Sequence, residues 1–442
     1  MKRISCFVLA LLLLCTACGG ATTDGHEQGG TTSEVGGSAD NGTTQSAVDG
    51  GDDNTSLNSG ASTSSTTSST GGGNSAVTNY DNDYFRLGNG LSNTYVKLKT
   101  KKKLTVAFMG GSVTYGTGCS DRQTQSFRVL VINWLKQQFP DAQITEVSAA
   151  YPSACSAYGA YAVDEKVIAQ GADLVFVEYA INDYYAKSRY SAASLKAHYE
   201  TIIRKLRKSL PSCDVVALYT TDKAQDMSQK LFAHAAAQES VAKHYGIPSI
   251  NMGWQLRTQL NLVSSSGVAS KWSTYFSDSV HANANGNRVY ADIIIECLQK
   301  AFTAVQKAGV AAVVNKTMPT AQNSGLVMNT DYVAADELTV PAKWSLIPSP
   351  YYPRLVTTTP GAELTYTFTG TGISLFIDAS GITLEHSVDG GTWSTQTVTG
   401  YYHLPLPMVE GLPYGEHTIT IKAPPETSGT KSFTVMAILV QQ

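Results

Sequence analysis

The stretch KKKLTVAFMGGSVTYGTG, residues 101–118, decides the fold of this chain. Its apolar run, which begins at Leu104, is typical of a buried β-strand. The run ends abruptly in two glycines, Gly110 and Gly111, and a small hydroxyl residue, Ser112. Glycines at a strand end let other groups approach the backbone closely. The pattern therefore predicts a strand whose carboxyl end presents Ser112 to a cleft.

Downstream of this strand, strand patterns alternate with helical patterns. The strand patterns cover residues 104–110, 143–150, 172–180, 213–221 and 247–253. The segments between them carry apolar residues at helical spacing. This alternation predicts the α/β class, with a five-stranded parallel sheet covered by helices on both faces. Ligands bind such sheets at the carboxyl ends of the strands.

The pattern of apolar and polar residues changes after Val314. Apolar and polar residues then alternate with a period of two, and turn signals such as GTG, ASG and DGG interrupt them. This pattern predicts an all-β sandwich domain over residues 315–442. The α/β domain that precedes it is assigned to residues 79–314.

The N-terminal residues have the features of an export signal. A positive start at Lys2 and Arg3 precedes a short apolar run and the sequence CTACGG. Residues 1–18 resemble a bacterial lipoprotein signal peptide, in which Cys18 would be lipidated; an ordinary cleaved signal peptide is the alternative. Residues 19–78 are rich in Gly, Ser and Thr, which predicts a disordered tether. The expected location is extracellular, anchored to the cell membrane by lipid.

Composition excludes some partners. The formal net charge is −3 at pH 7, so no excess of positive charge indicates nucleic-acid binding. The sequence has no Cys-x-x-Cys or His-x-x-x-His motif in a suitable place for a metal site. No metal and no cofactor is therefore expected.

Three segments carry residues suited to nucleophilic catalysis. A serine hydroxyl needs a base to become a nucleophile, and histidine with a carboxylate behind it is the usual pair. Ser112 supplies the hydroxyl, and Asp278 and His281 supply the pair, three residues apart. Each also has a plain structural explanation, since Ser112, Asp278 and His281 are suitable helix caps and Asn182 suits a turn.

The motifs GGSVT, EYAIND and DSVH occur in this order on the alternating pattern. Together they resemble the SGNH hydrolase superfamily, also called GDSL-type esterases, and the resemblance covers residues 104–308. The resemblance implies a flavodoxin-like SGNH fold and a serine esterase. It implies that Ser112 is the nucleophile, that Asp278 and His281 complete the triad, and that Asn182 donates to the oxyanion.

Two positions depart from the family pattern. Gly111 stands where most relatives have the aspartate of GDS, and altered loop packing without loss of activity is expected. Ser153 stands where the family has a glycine whose N–H joins the oxyanion hole. The predicted oxyanion hole therefore comprises the N–H groups of Ser112 and Ser153 and the side chain of Asn182.

The substrate is inferred from the resemblance. SGNH enzymes with an added β-sandwich resemble carbohydrate esterases, so acetylated polysaccharide is the expected substrate. Five tyrosines near the motifs either stack on sugar rings or pack the fold, namely Tyr115, Tyr151, Tyr158, Tyr184 and Tyr185. The turns PSPYYPRL and TGYYHLPLPM either bind glycan or cover one side of the cleft. The alternative functions are a non-catalytic glycan-binding lipoprotein and an esterase that acts on the cell's own wall.

Two cysteines lie close to the predicted site. Cys119 follows Ser112 by seven residues, and Cys155 follows Ser153 by two. In the family's arrangement their loops leave neighbouring strands, and an extracellular location permits disulfides. A disulfide that braces the Ser153 loop is one hypothesis, and two free thiols are the other.

Overall fold

The computed structural model describes residue 82 and residues 84–442, apart from 350–352, 380, 400–402 and 430. The predicted signal peptide with Cys18 and the predicted tether lie outside the described residues. No helix in the described part of the chain combines the length and apolarity needed to cross a bilayer.

The first part of the described chain alternates strands and helices. The elements are β1 (Phe85–Arg86), α1 (Ser92–Val96), β2 (Lys103–Gly110), α2 (Ser112–Tyr115), α3 (Arg122–Gln125), α4 (Phe127–Gln138), β3 (Gln143–Ala150), α5 (Ser156–Val163), β4 (Leu174–Glu178), α6 (Ala180–Ala186), α7 (Ala192–Ser209), β5 (Asp214–Leu218), α8 (Ala233–His244), β6 (Ser249–Ile250), α9 (Met252–Gln259), α10 (Ser265–Tyr275) and α11 (Ala284–Lys307). Single π-helical turns follow α1, at Lys97–Lys101, and α5, at Asp164–Ile168.

These strands form one sheet with the order β1-β6-β5-β4-β2-β3. The five strands from β2 to β6 pair in parallel, which confirms the predicted α/β class. The sheet also has a sixth strand that the sequence did not indicate. This strand, β1, pairs antiparallel with β6 through Phe85 and Ile250. Two residues are too few to show a strand period, so only the tertiary pairing reveals it.

Strand β2 lies inside the sheet, between β4 and β3, and is covered on both faces. Ala107 and Met109 pack into one apolar cluster, and Val106 and Phe108 pack into another. Alternate side chains of a strand point to opposite faces, so both clusters are helix-covered cores. The near-continuous apolar run that predicted this strand follows from that double burial.

The second part of the described chain consists of strands. They are β7 (Thr330–Ala334), β8 (Ser345–Ile347), β9 (Arg354–Thr357), β10 (Glu363–Gly370), β11 (Gly372–Ile377), β12 (Ile382–Val388), β13 (Ser394–Val398), β14 (Pro405–Val409), β15 (Gly415–Lys422) and β16 (Phe433–Gln441), with a 3-10 turn at Ala335–Glu337. One sheet has the order β10-β15-β12-β13, and the other β14-β11-β16-β9-β8, with β7 also paired to β16. Residues of both sheets share one apolar core, as in the predicted sandwich.

The sandwich packs against the α/β part through aromatic side chains. The Phe376 ring, from β11, lies 4.9 Å from that of Tyr151 and 4.4 Å from that of Tyr158. The Tyr151 hydroxyl also contacts the sulfur of Met436 at 2.5 Å. Tyr158 is buried, so it packs the fold rather than offering a surface for sugar stacking.

Candidate active site

Ser112 lies where the parallel sheet presents its carboxyl edge. Strand β2 ends at Gly110, Gly111 is extended, and helix α2 begins at Ser112. The first N–H groups of a helix have no partner within that helix. The backbone N–H of Ser112 therefore points out of α2 at the point where its side chain enters the site.

The structure brings the three predicted triad residues together. His281 Nε2 lies 2.8 Å from Ser112 Oγ, and His281 Nδ1 lies 2.6 Å from Asp278 Oδ2. With the Nδ1 proton donated to the carboxylate, Nε2 is left to accept the proton of the serine hydroxyl. The three groups form one hydrogen-bonded line across 169 residues of sequence.

The Asp278 carboxylate is held in the orientation that this line requires. Its Oδ1 accepts hydrogen bonds from the backbone N–H groups of Val280 and His281, at 2.8 and 2.7 Å. Partial burial acts to raise the pKa of Asp278, but the hydrogen bonds from His281 and Val280 outweigh it and hold this pKa below its usual range. The carboxylate is therefore charged at neutral pH, and 51% of its side chain is exposed.

Support for this loop comes from residues that sequence reasoning missed. Trp272 of α10 donates from Nε1 to the carbonyl of Asp278 at 2.6 Å. Its ring stacks on Phe276 with 3.9 Å between centroids. The backbone N–H of Lys223 donates to the carbonyl of Ser279 at 2.7 Å and ties the loop to the segment after β5. No local motif marks Trp272, because its partner is a backbone carbonyl.

Asn182 lies in α6, directly after β4, and is buried against the turn that carries Ser112. A Cβ atom on Gly111 would overlap the Oδ1 atom of Asn182 and lie 3.0 Å from its Nδ2. The Nδ2 group takes no hydrogen-bond acceptor among the described residues. The amide therefore lies beside the nucleophile with its donors available to a developing oxyanion.

This contact explains the first departure from the family pattern. A side chain at position 111 would overlap the Asn182 amide in its present position, so the glycine leaves room for that amide. Gly110 has a separate role, because a Cβ atom there would overlap Thr114 Oγ1 and lie 2.6 Å from the carbonyl oxygen of Glu178.

Ser153 occupies the loop after β3, next to the nucleophile strand. The loop starts where the Tyr151 N–H donates to the Gly110 carbonyl at 2.9 Å. Ser153 has φ = 67°, so it adopts the left-handed conformation that favours glycine. The serine thus retains a glycine-like backbone at the position where the family has glycine.

The buried carboxylate of Asp183 joins the Ser153 loop to the Asn182 helix. Its Oδ1 accepts from the N–H of Ser156 at 2.8 Å, and its Oδ2 accepts from Gln238 at 2.7 Å. Burial raises the pKa of Asp183 to about 7, although these hydrogen bonds act to lower it. The Asp183 carboxylate therefore connects the loop of Ser153 to the helix of Asn182, the two residues predicted to join Ser112 in the oxyanion hole.

The disulfide hypothesis is wrong for this structure. Both Cys119 and Cys155 are free thiols. Cys155 is fully buried in an apolar cluster with Ala157, Leu195 and Leu404, whereas Cys119 is partly exposed in the loop after α2. The packing of Cys155 turns its side chain into the core, and hydrogen bonding rather than a covalent link braces the Ser153 loop.

Potential metal ligands do not cluster in the described part of the chain. No group of three or more His, Cys, Asp and Glu side chains there is placed to hold a metal ion.

A serine, a histidine and an aspartate in line at the carboxyl edge of a parallel sheet are typical of α/β enzymes that cleave acyl bonds. The family comparison agrees. Residues 108–289 match the model of the family described as GDSL-like lipase/acylhydrolase. The match includes GGSVT, EYAIND and DSVH and confirms the resemblance inferred from them.

Solved structures extend the likeness beyond the α/β part. A two-domain esterase active on acetylated mannans, solved alone and with mannopentaose, is 18% identical and has a TM-score of 0.62 in both structures. The alignment covers 81% of this chain and 97% or 98% of the other. At this identity the likeness shows the shared fold, including the added β-sandwich. No curated protein sequence matches the chain.

We predict that Gly111→Ala lowers kcat for a small acetate ester by about 100-fold or more, because the methyl group displaces the Asn182 oxyanion donor. Steady-state kinetics on folded protein measures the effect. Gly415→Ala is the matched control, since a Cβ atom there meets no heavy atom closer than 3.9 Å. A parental kcat in Gly111→Ala would show that the Asn182 amide does not depend on the space beside Gly111.

Ser153→Gly is expected to raise the free energy of unfolding by about 0.5–1 kcal/mol. It relieves the ~1–2 kcal/mol cost of a left-handed L-residue, less the ~0.5–1 kcal/mol that glycine loses in entropy. Urea denaturation gives the value. Ser188→Gly, in an exposed turn without a positive φ, is the control and is expected to give no increase. A stability equal to or below that of the parent would contradict the strain argument.

Proposed function

We propose that this protein is an exported, lipid-anchored serine esterase that removes O-acetyl groups from polysaccharide. The observation that carries the proposal is the hydrogen-bonded line from Asp278 through His281 to Ser112. A decayed, purely binding domain has no need to keep this line and the adjacent Asn182 donor together, and this argues against a non-catalytic glycan-binding lipoprotein.

The geometry supports a two-step acyl transfer. Ser112 Oγ attacks the ester carbonyl while its proton passes to His281 Nε2, and Asp278 stabilises the imidazolium. The N–H groups of Ser112 and Ser153 and the amide of Asn182 stabilise the negative oxygen of the tetrahedral intermediate. Its collapse breaks the bond to the sugar oxygen, which takes the proton from His281. Water then attacks the acetyl-enzyme by the same route and releases acetate and free Ser112.

A cleft lined in part by Tyr115 of α2 contains charged and hydrogen-bonding side chains as well as apolar ones. The cleft measures about 270 Å³, and the described residues that line it are Tyr115, Tyr151, Pro152, Ser349, Arg354, Asp378, His403 and Met436. Asp378 Oδ1 lies 3.0 Å from His403 Nε2, and this hydrogen bond lowers the pKa of Asp378. Hydrogen-bonding groups of this kind match sugar hydroxyls.

Both aromatic-rich turns of the sandwich contribute to this cleft, through Ser349 and Arg354 in one and His403 in the other. A polysaccharide that lay there would contact both parts of the chain. The two-domain neighbour, which is active on acetylated mannans, supports the same substrate class. Of the tyrosines considered for stacking, Tyr184 is the most open candidate, with 38% exposure.

The location rests on the N-terminal sequence. The run CTACGG after an apolar segment supports lipidation of Cys18, and the Gly/Ser/Thr-rich residues 19–78 would then tether the esterase to the membrane. This arrangement suits an enzyme for external polysaccharide and one for the acetyl groups of the cell's own wall. The identity of the acetylated polymer separates these two functions.

Ser112→Ala is expected to abolish acetate release, because no other residue takes the place of the attacking oxygen. The measurement is acetate liberated from acetylated mannan, acetylated xylan and acetylated peptidoglycan. Ser120→Ala, an exposed serine outside the triad, is the control with parental rates. Release from peptidoglycan alone would favour action on the cell wall. Absence of release from all three polymers would contradict the proposed function.

Asn182→Ala is expected to lower kcat by roughly 10²- to 10³-fold with little change in KM, as loss of one oxyanion donor does. The reason is that the Asn182 donors act on the transition state rather than on the bound ester. Kinetics with 4-nitrophenyl acetate gives both constants. An unchanged kcat would remove Asn182 from the oxyanion hole.

A further inference from the structure

Glu178 is an acidic residue at the end of an otherwise apolar strand. It is the last residue of β4, and its side chain is completely buried. Its hydrogen-bond partners among the described residues are two hydroxyls: Thr114 Oγ1 donates to Oε2 at 3.0 Å, and Thr220 Oγ1 donates to Oε1 at 2.9 Å. No salt bridge of the described residues includes it. A buried carboxyl group without a cation is costly, so its presence calls for an explanation.

Burial raises the pKa of Glu178 to about 7, although both threonine hydroxyls act to lower it. The group is therefore not a strongly charged partner for the triad, and it touches none of the three triad side chains. What it offers is a pair of fixed hydrogen-bond positions, one toward each neighbouring strand.

The two threonines belong to the segments that carry the two halves of the triad. Thr114 lies in α2, two residues after Ser112, and Gly110 leaves the space for its side chain. Thr220 follows β5, and three residues later the Lys223 N–H donates to the carbonyl of Ser279 in the Asp278–His281 loop. The sheet order β5-β4-β2 places Glu178 between these segments.

We infer that Glu178 is a positioning residue: through Thr114 and Thr220 it holds the Ser112 turn and the segment that supports the His281 loop at a fixed separation. This inference rests on the proposed esterase function. It assigns to the acidic residue of EYAIND a role in setting the distance from Ser112 Oγ to His281 Nε2. An error of about 1 Å in that distance can cost 100-fold in rate, so a modest loosening has a measurable effect.

The test replaces threonine by valine, which has nearly the same shape but no hydroxyl group. Thr114→Val and Thr220→Val each delete one hydrogen bond to Glu178. The expected result is a fall in kcat of about tenfold for 4-nitrophenyl acetate, with KM within about twofold of the parent. Glu178→Gln is the conservative variant. The glutamine carbonyl accepts from one threonine and its amide donates to the other, so this variant is expected to retain most of the parental kcat.

Thr94→Val is the matched control. Thr94 is also buried, and its hydroxyl donates to a buried carboxylate, Asp214 Oδ2, at 2.9 Å. Asp214 begins β5, so this pair lies at the amino edge of the same sheet, away from Ser112. The control is expected to lower the melting temperature and leave kcat unchanged. A purely structural role for Glu178 predicts the same behaviour in the Thr114 and Thr220 variants.

The inference is overturned if Thr114→Val and Thr220→Val, measured below their melting temperatures, keep the parental kcat. It is also overturned if Thr94→Val loses kcat to the same extent, or if Glu178→Gln is no better than Glu178→Leu. Because the two valine variants are independent, failure of one to fold leaves the other as the test. A parent that does not hydrolyse the ester, or an active Ser112→Ala variant, would instead contradict the proposed function, on which this inference rests.

Discussion

The contact between the Asn182 amide and the backbone of Gly111 is the constraint on which the site depends. It brings the helix after β4 against the turn after β2, at a distance that leaves no room for a side chain. Gly110 makes a second close approach possible, that of Thr114 toward Glu178. The paired glycines therefore serve two different neighbours. Gly111 leaves room for the Asn182 amide beside the Ser112 turn, and Gly110 allows this turn to hydrogen-bond to Glu178 of the neighbouring strand.

The rest of the α/β part keeps these strand ends in register. Strand β2 lies between β4 and β3, so the loops with Asn182 and Ser153 leave the sheet on either side of Ser112. The Asp183 carboxylate joins those two loops by accepting a hydrogen bond from the N–H of Ser156. The His281 loop, which comes from much later in the chain, is held by Trp272 and by the segment after β5. The reactive groups are thus set by backbone contacts as much as by side chains.

The β-sandwich packs directly against the α/β part through aromatic side chains. Its Phe376 packs among Tyr151 and Tyr158, and Tyr190 donates to the carbonyl of Pro405 at 2.6 Å. This packing buries aromatic residues that, in the sequence alone, were equally suited to binding sugars. It also places Arg354 in a cleft that Tyr115 of α2 helps to line.

The sequence by itself determined the five parallel strands, because strands buried on both faces require near-continuous apolar runs. It also indicated Ser112, Asp278 and His281 as candidates, because acyl transfer by serine needs these residue types, and the family resemblance added Asn182. The assembly of Ser112, His281 and Asp278 into one line, the antiparallel β1, the free thiols and the contacts of Trp272 and Glu178 were decided only by the tertiary structure. Each of these depends on contacts between segments far apart in the chain, with backbone carbonyls or single hydroxyls as partners. Such partners leave no periodic or compositional signal, so only the folded chain specifies them.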